Sequence, residues 1–443
     1  MTLATAPSRI DRETIAARLL EARARTLLLV TPLGDDDLHR QHDPLMSPIL
    51  WDLGHIAHFE ELWLTRNLDG PVEFVEMPGL YNPFEHPRST RASLQLPDLA
   101  GCRGIMDEIR SRVLARLDGA DLDASSPLLR DGFVYQMVLQ HEYQHGETML
   151  QTLQLKRGAP YTPLVRLEPG DGGVPALGRA GSSEMVRFPG GAVPIGTDDR
   201  SAAYDNERPA HVATVAPFWI DVHPVTNGDF LAFMNAGGYD RPEHWSEAGW
   251  KWRTETSAVA PKYWERRDDV WTARSMDRSG RVDPRHPVCH VSWYEADAFA
   301  RFAGKRLPTE IEWEAAASWE PATGSRRTYP WGETPPDHTF ANVDQLVFGT
   351  APIGSYAANI SPIGCSGMIG DVWEWTASDF GPWPGFESFP YREYSEVFFG
   401  TEYKVLRGGS WATRPGAVRN TFRNWDYPVR RQIFSGFRCA RDD

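Results

Sequence analysis

The sequence predicts two domains of different kinds, an all-helical bundle followed by an irregular α+β domain. Three observations point there. The chain has 443 residues, more than one ordinary hydrophobic core holds. Its first 160 residues carry four long segments with the apolar spacing of amphipathic helices. Most of its 17 tryptophans fall after residue 240, among short strand-like runs and loops dense in Gly and Pro, so the halves differ in composition.

The first helix runs through IAARLLEARARTLLLV, with Asp11 placed to cap it. Ser47-Pro48 reads as a cap followed by proline at the first helical position, opening ILWDLGHIAHFEELWLTRNL. LAGCRGIMDEIRSRVLARL gives a third helix. GFVYQMVLQHEYQHGETMLQTLQLK gives a fourth, with Gly158 and Pro160 as its stop. Residues 1–160 are therefore expected to form a four-helix bundle. A Gly-, Pro- and Ser-rich stretch, 161–183, is expected as a linker. In 184–443 the runs MVRFPG, HVATVAPFWI and KVLRGGSW read as strands, and NGDFLAFMNAGG and YEADAFARFAGK as two short helices.

Charge and composition narrow the function classes. A net charge of −14 argues against nucleic acid or an anionic membrane as partner. No apolar run reaches the ~18 residues of a membrane span, and MTLATAPSRIDRET lacks the apolar core of a signal peptide. Four scattered cysteines (Cys102, Cys289, Cys365, Cys439) without CxxC spacing fit a reducing cytoplasm, not a disulfide scaffold or zinc ribbon. The expected partners are small molecules.

The stretch VLQHEYQHGETML raises the question of a metal. On a helix His141 and His145, four apart, sit about 40° from each other, on the stripe continued by Val134, Val138 and Met149. That stripe points into the bundle, and two imidazoles on it make half a metal site. Glu147 lies about 200° round from His145, out of reach of the same ion on a regular helix, so it serves on the surface or behind the ligands. A third ligand must come from another helix. The second helix offers His55 and His58, about 60° apart, and both are open on spacing. Imidazole suits iron and zinc alike, so spacing does not name the metal.

The helical half resembles the DinB-like bundles, which hold a metal with three histidines from two helices. PVTNGDFLAF, RLPTEIEWEAAA, YPWG, GDVWEWTASDF, VLRGGSW and GFRCA resemble the formylglycine-generating enzymes. The implied fold is a DinB-like four-helix bundle followed by a formylglycine-generating-enzyme-like (C-type-lectin-like) α+β domain. The two halves in this order, with DPLMSPILWDLGH, HEYQH and RNWDYPVRRQIFSGFR, resemble the EgtB-type sulfoxide synthases of ergothioneine biosynthesis over nearly the whole chain. One departure matters. Formylglycine generators carry two cysteines just after RGGS, where Thr413 and Val418 stand here, so their copper–cysteine chemistry is excluded.

The resemblance implies a non-haem iron(II) enzyme that uses O2 to join the sulfur of γ-glutamylcysteine to C2 of the imidazole of hercynine (trimethylated histidine), as the sulfoxide. It implies His55, His141 and His145 as iron ligands, which selects His55 over His58. Arg88 and Arg91 match arginines that hold the carboxylates of γ-glutamylcysteine, a task suited to a planar bidentate donor. Asp426 and Arg430 match the groups that complete that pocket. Trp425 and Asn424 match a site for the trimethylammonium, which cannot donate a hydrogen bond and is bound by aromatic faces and oxygens. Gln144 is placed to hydrogen-bond the hercynine imidazole, and Tyr394 is a further pocket residue. Tyr391 matches the catalytic tyrosine, a proton donor as the C–S bond forms; Tyr394, three residues on, is the alternative. The resemblance also extends to a structural Ca2+ in the second domain, although no loop in the sequence carries a specific ligand pattern for it. Selenoneine- and ovothiol-type synthases share the scaffold. Arg88 and Arg91 argue against the first, and the chain leaves no room for the methyltransferase domain usual in the second. A zinc-dependent DinB-type thiol-S-transferase would not need RNWD or the tyrosine segment, and the histidine stripe argues against a non-catalytic binding module.

Overall fold

The computed structural model describes residues 10–69, 79–123, 125–168 and 184–443. The chain divides into two compact units, Met1–Leu164 with Asp199–Ala202, and Val165–Asp198 with Ala203–Asp443. Of the stretch expected as a linker, 169–183 lies outside the described residues.

In the first unit the long helices are α1 (Arg12–Val30), α3 (Ile49–Glu61), α5 (Leu99–Asp118) and α6 (Phe133–Gln154), with short turns α2 (Asp35–His39) and α4 (Asn67–Asp69) between them. Asp11 caps α1, accepting from the Thr14 amide at 2.7 Å, and Asp98 caps α5 in the same way through Gly101. Helix α3 starts one residue later than its sequence suggests. Pro48 stays extended and its carbonyl accepts from the Trp51 and Asp52 amides. Ser47 does not cap, because its hydroxyl accepts from Arg91 Nη1 at 2.7 Å. Beyond Glu61 the helix widens into a π turn, Leu62–Arg66. Helix α6 ends at Gln154, short of Gly158, where the Leu155 and Lys156 amides fold back on Thr152 and Leu153 in tighter i→i−3 bonds. The core between the helices includes Leu19, Leu53, Met106, Val138 and Met149, all buried.

Across this apolar core lies a closed ring of charge, with one residue from each long helix. Arg23 of α1 donates to Glu142 Oε1 of α6 at 3.0 Å and to Glu60 Oε2 of α3 at 2.7 Å. Arg110 of α5 donates to Glu60 Oε1 at 2.6 Å and to Glu142 Oε2 at 3.1 Å. Its remaining terminal nitrogen meets the Leu19 carbonyl. All four side chains are buried. Burial would raise the Glu142 carboxyl, but the two guanidiniums outweigh it and hold the group below its ordinary range.

The second unit is built from small sheets. Strands β1 (Met185–Phe188), β2 (Gly191–Ile195), β3 (His211–Val215) and β4 (Phe218–Asp221) come first. The single run HVATVAPFWI is broken into β3 and β4 at Ala216-Pro217, because proline cannot donate to a ladder. Strands β5 (Trp264–Arg267), β6 (Val270–Ser275) and β7 (Arg278–Arg281) form an antiparallel meander, and β8 (Trp319–Glu320) pairs with β9 (Ser325–Arg326). Strands β10 (Trp373–Asp379), β11 (Lys404–Arg407), β12 (Asn424–Asp426) and β13 (Ser435–Gly436) form a sheet in the order β12-β11-β10-β13. Strand β14 (Ala440–Asp442) returns to β4, giving β1-β4-β14.

Among the described residues four helices stand here where the sequence suggested two. Besides α7 (Asn227–Asn235) and α9 (Trp293–Phe302) there are α8 (Glu247–Thr256) and α10 (Glu310–Ser318). Helix α10 is buried almost all round, so it lacks the one-sided stripe that marks a helix in a sequence. Its Thr309–Glu312 capping box was the remaining signal.

Replacing Arg110 by Met leaves two buried carboxylates facing one guanidinium. Breaking such a network by removing one partner costs about 3–5 kcal/mol. Urea unfolding followed by helical circular dichroism is expected to show a loss of that size in the bundle, whereas a loss below about 1 kcal/mol would mean that the ring does not hold the helices.

Candidate metal centre

Three imidazoles converge inside the first unit. The candidate ligand atoms of His55 on α3 and of His141 and His145 on α6 lie within 4.8 Å of one another. Their ring centroids are 4.5–5.0 Å apart. His58 is not part of this group, and neither is Glu147, which is buried on α6, not at the surface. Burial holds His55 and His141 well below the ordinary imidazole range, so both are neutral with a lone pair to offer. Two of the rings are oriented from behind. His55 Nδ1 lies 2.8 Å from the Tyr81 carbonyl, and His145 Nδ1 lies 3.0 Å from Asp52 Oδ1. A ring whose Nδ1–H is spent in this way presents Nε2 as the acceptor.

The scaffold for His55 depends on Gly54. A Cβ there would lie 2.1 Å from the Tyr81 ring, so only glycine lets the Tyr81 segment come close enough to deliver its carbonyl. Trp51 stacks on His55 at 4.8 Å and 11°, and Phe59 stacks on His141 at 3.7 Å and 10°. The Arg91 guanidinium lies over Trp51, 3.4 Å from a ring centroid. Arg88 is exposed, but Arg91 is buried, and it donates from Nε to the His86 carbonyl and from Nη1 to Ser47. Burial lowers its pKa to about 10, which leaves it cationic at neutral pH. Gln144 is half-buried on α6 beside His145.

In the second unit β12 carries Asn424, Trp425 and Asp426, and Trp425 meets the tyrosine segment. Trp425 stacks on Phe380 at 4.1 Å and meets Tyr394 edge-on at 5.8 Å. Tyr391 lies 6.2 Å from Tyr394. Burial holds the Tyr391 phenol well above its ordinary range, so it keeps its proton. Arg430 pairs with Asp426 at 3.3 Å, and its Nη1 is buried with no hydrogen-bond partner among the described residues. The segment is pinned by a distant turn that the sequence did not single out, Tyr204–Glu207. Tyr204 stacks on Tyr394 at 4.0 Å. Asp205 accepts from the Ser395 hydroxyl at 2.5 Å and from the Phe389 amide at 3.1 Å, and Asn206 donates to Ser395 at 3.0 Å.

Residues 18–149 match the DinB superfamily, and residues 174–443 match the sulfatase-modifying factor enzyme 1-like domain. The chain is 47% identical to a hercynine oxygenase of Mycobacterium tuberculosis, over 97% of this chain and 99% of that protein. It is 45% identical to a hercynine oxygenase of Mycolicibacterium smegmatis, over 98% of this chain and all of that one.

The chain belongs to the hercynine oxygenase family.

It is thus an enzyme of the oxidoreductase class. A formylglycine-generating enzyme of Streptomyces coelicolor is 35% identical over 63% of this chain and 95% of that protein. Thr413 and Val418, read from the sequence as standing in place of a cysteine pair, both lie close to Gly409. A Cβ on Gly409 would touch both, and both are buried. Among the described residues the three histidines are the one group of three or more His, Cys, Asp or Glu with ligand atoms gathered for an ion. No carboxylate cluster there locates the calcium expected in the second unit. No described helix is long and apolar enough to cross a membrane.

The Asp205 contacts give a direct test of how the tyrosine segment is held. Removing a hydrogen bond to a charged group costs about 1.5–3 kcal/mol. Asp205→Ala is therefore expected to speed amide exchange across residues 389–396 by roughly ten- to a hundredfold, read by hydrogen-exchange mass spectrometry. Unchanged exchange would show that the segment is held elsewhere.

Proposed function

We propose that this enzyme is an iron(II)- and O2-dependent sulfoxide synthase of ergothioneine biosynthesis, joining the sulfur of γ-glutamylcysteine to C2 of the hercynine imidazole. The observation that carries the reading is the convergence of three imidazoles, two of them held neutral by burial, in a chain 47% identical over its length to a hercynine oxygenase. The donor set fits the metal. Imidazole donors bring no charge of their own, so they would leave that of an iron(II) intact and positions open for thiolate and O2. When bound, the iron supplies thiolate activation and O2 reduction.

The chain's own residues then have these tasks. His55 and His145 would hold the ion through Nε2, with His141 as the third ligand. Arg88, Arg91, Asp426 and Arg430 bind the charged ends of γ-glutamylcysteine. The buried, unpartnered Nη1 of Arg430 suits a carboxylate oxygen, because a guanidinium left unsatisfied in a buried place is costly. Trp425 and Asn424 receive the trimethylammonium, Gln144 the hercynine imidazole, and Tyr394 packs beside Trp425. Tyr391 donates its phenolic proton during C–S bond formation. Its raised pKa suits a group that must hold the proton until it is needed.

The activity is tested by incubating the iron(II)-loaded protein with hercynine, γ-glutamylcysteine and O2. Mass spectrometry and NMR are expected to show a sulfoxide linked at the imidazole C2. Linkage at the other ring carbon, or no C–S product, would overturn the reading. For the metal, His55→Ala, His141→Ala and His145→Ala are each expected to lose iron, while Glu147→Gln keeps it; metal analysis finding the loss in the Glu147 variant alone would reverse the ligand assignment.

Tyr391→Phe tests the proton. It is expected to bind iron and both substrates yet divert to oxidising the thiol alone, giving a sulfinic acid. The sulfoxide rate is expected to fall by about 10²–10⁴. A variant making sulfoxide near the parent rate would move the role to Tyr394.

A further inference from the structure

The three imidazoles are not supported alike. His55 is backed by a neutral backbone carbonyl, whereas His145 is backed by a carboxylate. That carboxylate, Asp52, lies on α3 one turn before His55 and is 1% exposed. Its Oδ1 meets His145 Nδ1 at 3.0 Å. Its Oδ2 is buried with no hydrogen-bond partner among the described residues. A buried carboxylate normally has both oxygens satisfied, because an unpaired charged oxygen out of water is costly. Arg91 is a cation near enough to interact with Asp52, but its hydrogen bonds go to His86 and Ser47. The pairing with His145 therefore remains the main use the fold makes of this charge.

We propose that Asp52 is a positioning residue for the metal, acting through His145. It fixes the tautomer that presents Nε2, and it makes that imidazole a stronger donor than His55 by drawing its Nδ1 proton toward a negative charge. A divalent cation on the far side of the ring then offsets the carboxylate that the apoprotein leaves half-satisfied. The three-histidine reading is a premise of this assignment. The asymmetry has a consequence for chemistry. An electron-rich imidazole favours the oxidised state of a bound redox metal, so the carboxylate lowers the reduction potential of the site.

The test uses the full chain with Asp52→Asn, Asp52→Ala and His145→Ala. Each is first checked for the parent's helical circular dichroism, then titrated anaerobically with iron(II) and separately with cobalt(II). Asp52→Asn keeps the size and an oxygen acceptor but removes the charge, so it is expected to fold as the parent does. Carboxylates behind a metal-bound histidine are worth roughly 10–100-fold in affinity. Asp52→Ala is expected to weaken binding by that factor. Asp52→Asn is expected to weaken it less, to raise the reduction potential of the bound iron, and to shift the cobalt(II) visible absorption. A purely structural aspartate would leave potential and spectrum unchanged in the Asn variant. Parent-like affinity, potential and spectrum in both Asp52 variants, with His145→Ala losing the metal, would overturn this proposal and leave the three-histidine site standing. Parent-like affinity in His145→Ala would instead overturn the site, and this proposal with it.

Discussion

The constraint on which the first unit depends is the ring of Arg23, Glu60, Arg110 and Glu142. Each member comes from a different long helix, and each guanidinium touches both carboxylates. An apolar stripe fixes a helix face only to within tens of degrees, since one leucine substitutes for another in a core. Directed charge-assisted hydrogen bonds in a dry interior fix rotation and register far more narrowly. Glu142 adjoins His141 on α6, and Glu60 follows His55 by five residues on α3. Setting the two glutamates therefore sets the angle at which the three imidazoles meet. The ring need not add net stability over a hydrophobic replacement; its contribution is a single permitted alignment.

Around the histidines the same economy recurs. Trp51 meets both the Arg91 guanidinium and the His55 ring, so a cation and a candidate ligand share one aromatic residue. Gly54 admits Tyr81, and Tyr81 turns His55. Phe59 covers His141. Burial of His55 and His141 keeps those two imidazoles neutral. In the second unit the tyrosine segment has no regular strand to hold it. It is held instead by a turn nearly two hundred residues earlier in sequence, through Asp205, Asn206 and Tyr204.

How much of this was legible in the sequence depends on whether the signal was local. The four long helices and the Asp11 cap were readable because period and cap are local properties. The exclusion of Glu147 from the ligand set followed from helix geometry alone, although it proved buried. The third ligand was not decidable from spacing, since His55 and His58 both had access to the core; Tyr81, which distinguishes them by binding His55, comes from a separate segment. Asp52 was passed over because an acidic residue in the first turn of a helix is ordinarily a solvated dipole partner. Arg91 read as a guanidinium for a substrate carboxylate, yet it is buried and its Nε and Nη1 are committed to His86 and Ser47. Helix α10 was hidden because burial on every side removes the amphipathic period. The architecture of the second unit was legible through resemblance, not pattern, because its strands are short and its loops long.

The most direct test of the metal centre is an anaerobic crystal structure of the iron-loaded protein, with anomalous scattering collected at the iron edge. The expected result is one strong iron peak bound by Nε2 of His55, His141 and His145, with the Nδ1 atoms of His55 and His145 on Tyr81 and Asp52 and with Glu147 uncoordinated. An iron bound through Nδ1, bound to Glu147, or found away from the three histidines would contradict it.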